Sequence, residues 1–156
     1  MRWTAASFPS FLVSLCLLAV GSGCASRRGP EVIKVLPHYL DEQGRSALSP
    51  SLYDRDAYQA ELRQHPAQRT GLRFDVQWRG ASASDLLLRV DLRGVVSNRV
   101  TEVQLQEPLP RAGKFSRWSG LTLRGDRYRD FGDLTAWRAT LWQGTNLVAE
   151  RQSFLW

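Results

Sequence analysis

The sequence predicts a mainly β protein: an antiparallel β-sandwich of about seven short strands with one short inserted helix. Three observations lead there. After Thr70, apolar residues alternate with charged ones at period two. Gly, Pro, Asn and Ser clusters punctuate these runs at regular intervals. Only residues 49–66 carry paired start and stop signals for a helix. A chain of 156 residues is long enough for one domain with its own core and short for two. A small barrel is the other architecture this pattern allows.

The elements follow in order. "EVIKVLP" (residues 31–37) is rich in β-branched side chains and reads as the first strand. "HYLDEQGRSALSP" carries turn residues and no period. In "SPSLYDRDAYQAELRQHP", Ser51 is placed to cap a helix, Asp54 completes the capping-box spacing and Pro66 ends it. Tyr53, Ala57 and Ala60 form one stripe and Tyr58 and Leu62 a second, so this helix is expected to lie across one end or edge of a sheet.

"GLRFDVQWR" places Leu72, Phe74, Val76 and Trp78 inward; "DLLLRVDLR" does the same with Leu86, Leu88, Val90 and Leu92. The linker "GASAS" between them suits a hairpin. "TEVQLQE" turns Val103 and Leu105 inward, and "EPLPRAGK" is a turn. "FSRWSGLTLRG" is a strand in which Gly120 marks an expected bulge. "DRYRDFGD" reads as a polar crossover with Tyr128 and Phe131 as pegs. "LTAWRATLW" sets Trp137, Ala139 and Leu141 against Arg138, Thr140 and Trp142. After the turn "QGTN", "LVAERQSFLW" reads as a last strand running to Trp156, with Leu147 and Ala149 on one parity and Phe154 and Trp156 on the other. Leu72, Phe74, Val76, Trp78, Leu88, Val90, Leu92, Trp137 and Leu141 are expected to be buried together.

The leader gives the clearest functional signal. "FLVSLCLLAVGSGCASRR" (residues 11–28) joins an apolar run to Gly21, Ser22, Gly23 and Cys24, then to Arg27 and Arg28. The run is shorter than the roughly 20 apolar residues a membrane span requires. With Ser22 and Gly23 before the cysteine, the stretch resembles a bacterial lipoprotein signal; Gly21 stands where that family usually has Leu. The resemblance implies cleavage before Cys24, acylation of its thiol and membrane anchoring. Ala25 stands where an Asp would mark inner-membrane retention in many Gram-negative bacteria, so the implied site is the outer membrane. The other readings are an ordinary secretory signal cut near Gly23 or Ala25, and an uncleaved anchor. The expected organisation is a signal peptide over residues 1–23, a tether over 24–30 and the sandwich over 31–156.

The strand count and spacing from residue 31 onward also resemble the immunoglobulin-like and fibronectin type III architectures. That resemblance carries no inter-sheet disulfide and no binding motif. The whole chain is similar to small bacterial lipoproteins that join an anchor to one compact domain.

Cys16 and Cys24 are the only cysteines, so nothing after Cys24 can form a disulfide framework, a zinc ribbon or a thiol-redox pair. The formal charge of +6 falls to +5 without Arg2. It is spread along the chain, which suits a solvated surface and also favours anionic partners. Export argues against nucleic acid. No paired-histidine metal motif, nucleophile elbow or phosphate loop is present. His65 fits a helix end, and His38 is placed to join Asp41 in a polar cluster. Asp54 with Asp56, and Asp126 with Asp130 and Asp133, read as a helix start and a loop rather than as a catalytic or calcium-binding set. No catalytic residue, metal site or cofactor is expected.

The remaining candidates are aromatic. Trp118, Arg138, Trp142 and Trp156 are the expected partner surface, because indole faces beside guanidinium groups suit protein interfaces and sugar rings. The expectation is a non-catalytic structural or interaction module, attached to the membrane through Cys24 and facing an envelope protein or glycan. A secreted glycan-binding or glycan-hydrolysing domain is the alternative.

Overall fold

The computed structural model describes residues 29–80, 84–111 and 115–156. The leader, Cys24, Arg27 and Arg28 lie outside the described residues, as does the middle of the GASAS linker. The chain runs β1 (Glu31–Leu40), α1 (Leu52–Gln64), a 3-10 turn (Pro66–Gln68), β2 (Gly71–Arg79), β3 (Leu86–Val96), β4 (Arg99–Pro108), β5 (Arg117–Arg124), α2 (Asp126–Phe131), β6 (Asp133–Gln143) and β7 (Asn146–Gln152). Seven strands form two antiparallel sheets, ordered β1-β2-β5 and β4-β3-β6-β7, which enclose one core as a β-sandwich. Among the described residues, no helix is long and apolar enough to cross a membrane.

Alternation sets the inner faces. Leu72, Phe74, Val76 and Trp78 from β2 meet Leu88, Val90 and Leu92 from β3 and Ala139 and Leu141 from β6 in one buried cluster. Each fully buried Val, Leu or Phe among them contributes about 1.5–3 kcal/mol. Trp137 packs half-buried against the cluster. The Trp78 indole N–H donates to Ser119 Oγ at 3.1 Å, so the largest core side chain leaves no buried donor unpaired.

Several expectations are corrected. β2 and β3 do not form a hairpin: β2 pairs with β1 and β5, and β3 with β4 and β6, so the two strands lie in different sheets. The hairpin is β3–β4, turned by Ser97 and Asn98, both at positive φ. Such a turn matches strand twist but strains non-glycine residues, which is why no Gly flagged it. Gly120 lies opposite Asp75 in unbroken register. Its missing Cβ leaves room for the Asp75 carboxylate and Arg73 guanidinium rather than making a bulge. Irregularities occur instead at Val32/Lys34, Arg93/Gly94 and Leu141/Trp142.

The last strand stops at Gln152, short of Trp156. In β7, Ala149 faces Leu141 and Leu147 faces Trp142, which leaves Val148 as the extra residue. That insertion explains why the segment shows no single parity. The polar crossover contains a second helix, α2, although Tyr128 and Phe131 are the buried pegs expected. β1 is longer than the β-branched run and includes His38, Tyr39 and Leu40.

The helix is capped as predicted at one contact. Ser51 Oγ accepts from the Asp54 N–H at 3.4 Å, but the Asp54 carboxylate accepts from Ser49 Oγ instead of returning to the Ser51 backbone. The second stripe is the one turned inward: Leu62 is buried and Tyr58 half-buried, with Gln59 beside them, whereas Tyr53 and Ala57 of the first are exposed. Gln59 Nε2 donates to the carbonyls of Tyr39 and Ser46 at 2.9 and 2.8 Å, and its Oε1 accepts from the Tyr39 N–H at 2.8 Å. These bonds pin α1 over the outer side of β1, which explains why outward His38 and Leu40 are buried.

The pairings also define two ends. Glu31, Arg79, Leu86, Pro108, Arg117, Gln143 and Asn146 gather at the end where the described chain enters. Leu40, the Ser97–Asn98 turn, α2 and residues 153–156 lie at the other.

Candidate functional site

The outer face of the β4-β3-β6-β7 sheet brings three of the four candidate surface residues together. Arg89 and Arg93 stand outward on β3, and Arg138, Thr140 and Trp142 stand outward on β6. Arg89 lies opposite Thr140, which makes Trp142 and Arg138 its diagonal neighbours. The Arg89 guanidinium stacks 5.1 Å from the Trp142 ring centroid. Thr140 is fully buried beneath this pair, and its Oγ1 accepts from the Trp142 indole N–H at 2.9 Å.

The tail completes the ladder. Ser153 N donates to Trp137 O at 2.9 Å, and Trp137 N donates to Ser153 Oγ at 3.0 Å. Trp156 N then donates to Ser153 O, closing a turn that lays the Trp156 indole back over the sheet. Its ring lies 4.1 Å from Arg93 and 5.5 Å from Arg138. The result is a row along the β3–β6 seam in which Arg89 stacks on Trp142, and Arg138 and Arg93 both stack on Trp156. The Nε atoms of Arg89 and Arg138 are buried without a hydrogen bond among the described residues. Their guanidinium groups are held by aromatic faces rather than by carboxylates.

Trp118 is not part of this row. It lies opposite Gln77 on the outer face of the other sheet, at the chain-entry end, and is half exposed. The tail turn instead presents Phe154 and Leu155, 102% and 70% exposed, beside Trp156. Sequence reasoning missed Arg89 and Arg93 because only the β3–β6 register places them diagonal to the tryptophans. It missed the exposure of Phe154 and Leu155 because it continued the strand through them.

The titratable clusters have partners within the chain. Asp41 is buried, and burial alone raises a carboxyl pKa. Here that effect is outweighed by the Arg45 backbone N–H at 2.7 Å, the Tyr58 hydroxyl at 2.8 Å and the Arg45 guanidinium at 2.9 Å, which together lower it. His38 does not join Asp41. It faces Asp75 at 3.7 Å, and burial lowers its pKa against the pull of that carboxylate. His65 caps the exposed end of α1, with Nδ1 3.0 Å from the Glu61 carbonyl. Asp54 sits in the first turn of α1, Asp126 pairs with Arg129, and Asp133 pairs with Arg69 at 2.8 Å. Among the described residues, no group of three or more His, Cys, Asp or Glu is arranged to hold a metal ion. A cleft of about 320 Å³ is lined by Glu42, Arg69, Arg124, Tyr128 and Arg129. Its arginines bond to Asp133, the Gly44 carbonyl and Asp126.

Comparison of the chain with protein-family models, curated proteins and solved structures returned no match.

Proposed function

We propose that this chain is an exported lipoprotein, anchored through acylated Cys24, whose sandwich serves as a non-catalytic interaction module of the cell envelope. The observation that carries the interaction reading is the tail turn. It costs chain entropy to fold residues 153–156 back on the sheet, and the turn leaves Phe154 and Leu155 bare rather than buried. The Arg–Trp row beneath holds that pair at a fixed place, as a protein-binding anchor requires. The alternative of sugar stacking loses support, because Trp118, Trp142 and Trp156 do not form one exposed row. The strand order supports the immunoglobulin-like reading of the fold. It differs from the constant-type arrangement only in that the fourth strand pairs with the third instead of the fifth.

The anchor is tested by the intact mass of protein recovered from membranes, compared with Cys24→Ser. A chain beginning at Cys24 with lipid mass, lost with membrane retention in the variant, is expected; an unmodified soluble species removes the anchor. The interaction reading is tested by placing a photoreactive phenylalanine analogue at position 154 in cells. A discrete protein adduct, absent when the probe replaces Gln64 on α1, is expected. Equal labelling at both positions, or none, removes the interaction reading.

A further inference from the structure

We infer that the chain-entry end of the sandwich seats directly on the phospholipid surface, with Phe115 and Trp118 at headgroup depth. The inference rests on the reading of Cys24 as the acylated residue. Gly29, the first described residue, lies five positions after Cys24, and five extended steps reach at most about 18 Å. A lipid on Cys24 therefore holds the start of β1 within that distance of the bilayer. The register carries the consequence across the sheet. Glu31 lies opposite Arg79 and Trp78 lies opposite Arg117, so β5 begins at the tethered end.

The side chains at that end suit the place. Phe115 is 86% exposed, Trp118 is 52% exposed, and Leu147, at the start of β7 on the same end, is 45% exposed. Arg111 and Arg117 flank the aromatics and are exposed. In water, a bare Phe beside a bare Trp gains nothing from its position. At a membrane interface, aromatic rings sit among the headgroups and neighbouring arginines reach the phosphates. α1 covers the outer face of the first sheet near His38 and Leu40, away from Trp118, so no element of the described chain competes for this indole. Anchor and face act together: the lipid raises the local concentration of a weakly binding end, and that end then fixes the orientation of the domain. The orientation directs the Phe154–Leu155 turn away from the bilayer.

The test uses the full chain, purified from membranes and reconstituted into vesicles of phosphatidylethanolamine with phosphatidylglycerol. Cys16 and Cys24 are the only cysteines, so an introduced cysteine is the one free thiol of an acylated mature protein. A nitroxide is attached at Ser116→Cys, beside the aromatics, or at Arg99→Cys, at the far end. The expected result is several-fold lower access of a water-soluble nickel chelate to the label at 116 than at 99. The double substitution Phe115→Ser with Trp118→Ser should abolish the difference while thermal unfolding stays unchanged. Equal access at both positions in singly labelled protein overturns the inference. So does shielding at 99 instead, which would place the Phe154–Leu155 end on the lipid. A second label on Cys24 means that the anchor reading has failed. The unacylated protein is then sedimented with the same vesicles: pelleting that needs Phe115 and Trp118 supports the seat, and protein left in the supernatant overturns it.

Discussion

Replacing Trp156 tests the Arg–Trp row most directly. Arg93 approaches the ring to 4.1 Å and keeps an exposed side chain, so its contact contributes about 0.5–1 kcal/mol. Arg138 lies farther, at 5.5 Å, but its Nε is buried with no hydrogen-bond partner among the described residues, so its contact contributes about 1 kcal/mol. With the apolar cover also lost, Trp156→Ala should destabilise by roughly 2–3 kcal/mol. For a domain of this size that is roughly 3–4 °C in Tm per kcal/mol. The assay is urea unfolding in a double-mutant cycle of Trp156→Ala with Arg93→Met. Loss of the Arg93–Glu102 contact occurs in both arms and cancels. A coupling energy below about 0.3 kcal/mol, within ordinary additivity, would refute the claim that the stacked arginine holds the tail.

Three further predictions concern the contacts that hold the sandwich and its helices together. Gln59→Ala strands the Tyr39 N–H and two carbonyls under α1 and should cost about 2–4 kcal/mol, read as a lower urea midpoint. Gly94→Ala should cost about 1–3 kcal/mol or more by overpacking, because a Cβ there would meet Phe131 Cζ and O at 2.7 Å. Stability should fall in two stages on acidification. His38 has a depressed pKa in the fold, so its contribution is complete above the unfolded value of 6.5 and is lost as pH drops below it. Asp41, also depressed, holds its contribution above 3.8 and loses it as pH falls through its folded pKa. Urea midpoints against pH should show the upper stage vanish in His38→Gln and the lower in Asp41→Asn.

The inner faces were legible because alternation is a property of each strand alone. Leu72 to Trp78 and Leu86 to Leu92 needed no knowledge of partners. Pairing was not legible. GASAS has the composition of a hairpin turn, yet β2 is claimed on both sides by β1 and β5, a fact held by distant residues. The helix ends were readable from Ser51 and Pro66, and its buried side was readable only in part: Tyr58 and Leu62 mark it, but a hydrophobic count overlooks Gln59. Gln59 is buried because it replaces hydrogen bonds that β1 and the following loop would otherwise lack. The Arg–Trp row shows the same limit: Trp142 and Trp156 are visible as candidates, whereas Arg89 and Arg93 become their partners only through register. Val148 hid the end of β7 by shifting parity within one strand.

The two ends of the sandwich are built differently, and the difference bears on how the molecule works. Away from the chain-entry end, Arg69 donates to the Leu62 and Arg63 carbonyls and pairs with Asp133, joining the end of α1 to the start of β6. Asp41 ties the loop after β1 to Tyr58 of α1, Thr101 Oγ1 donates to the Phe131 carbonyl, and the tail is bonded to Trp137. These bonds fix the backbone that carries Phe154 and Leu155, and any ligand of that turn would spend little free energy on ordering it. Among the described residues the chain-entry end has no covering helix, and Phe115 and Trp118 are exposed there. Substitutions in the first region should therefore act through stability, and substitutions at Phe115 or Trp118 through location alone. A mutant panel scored for both Tm and membrane orientation separates these effects. A single shared axis, with both regions moving both readouts together, would mean that the ends are not independent.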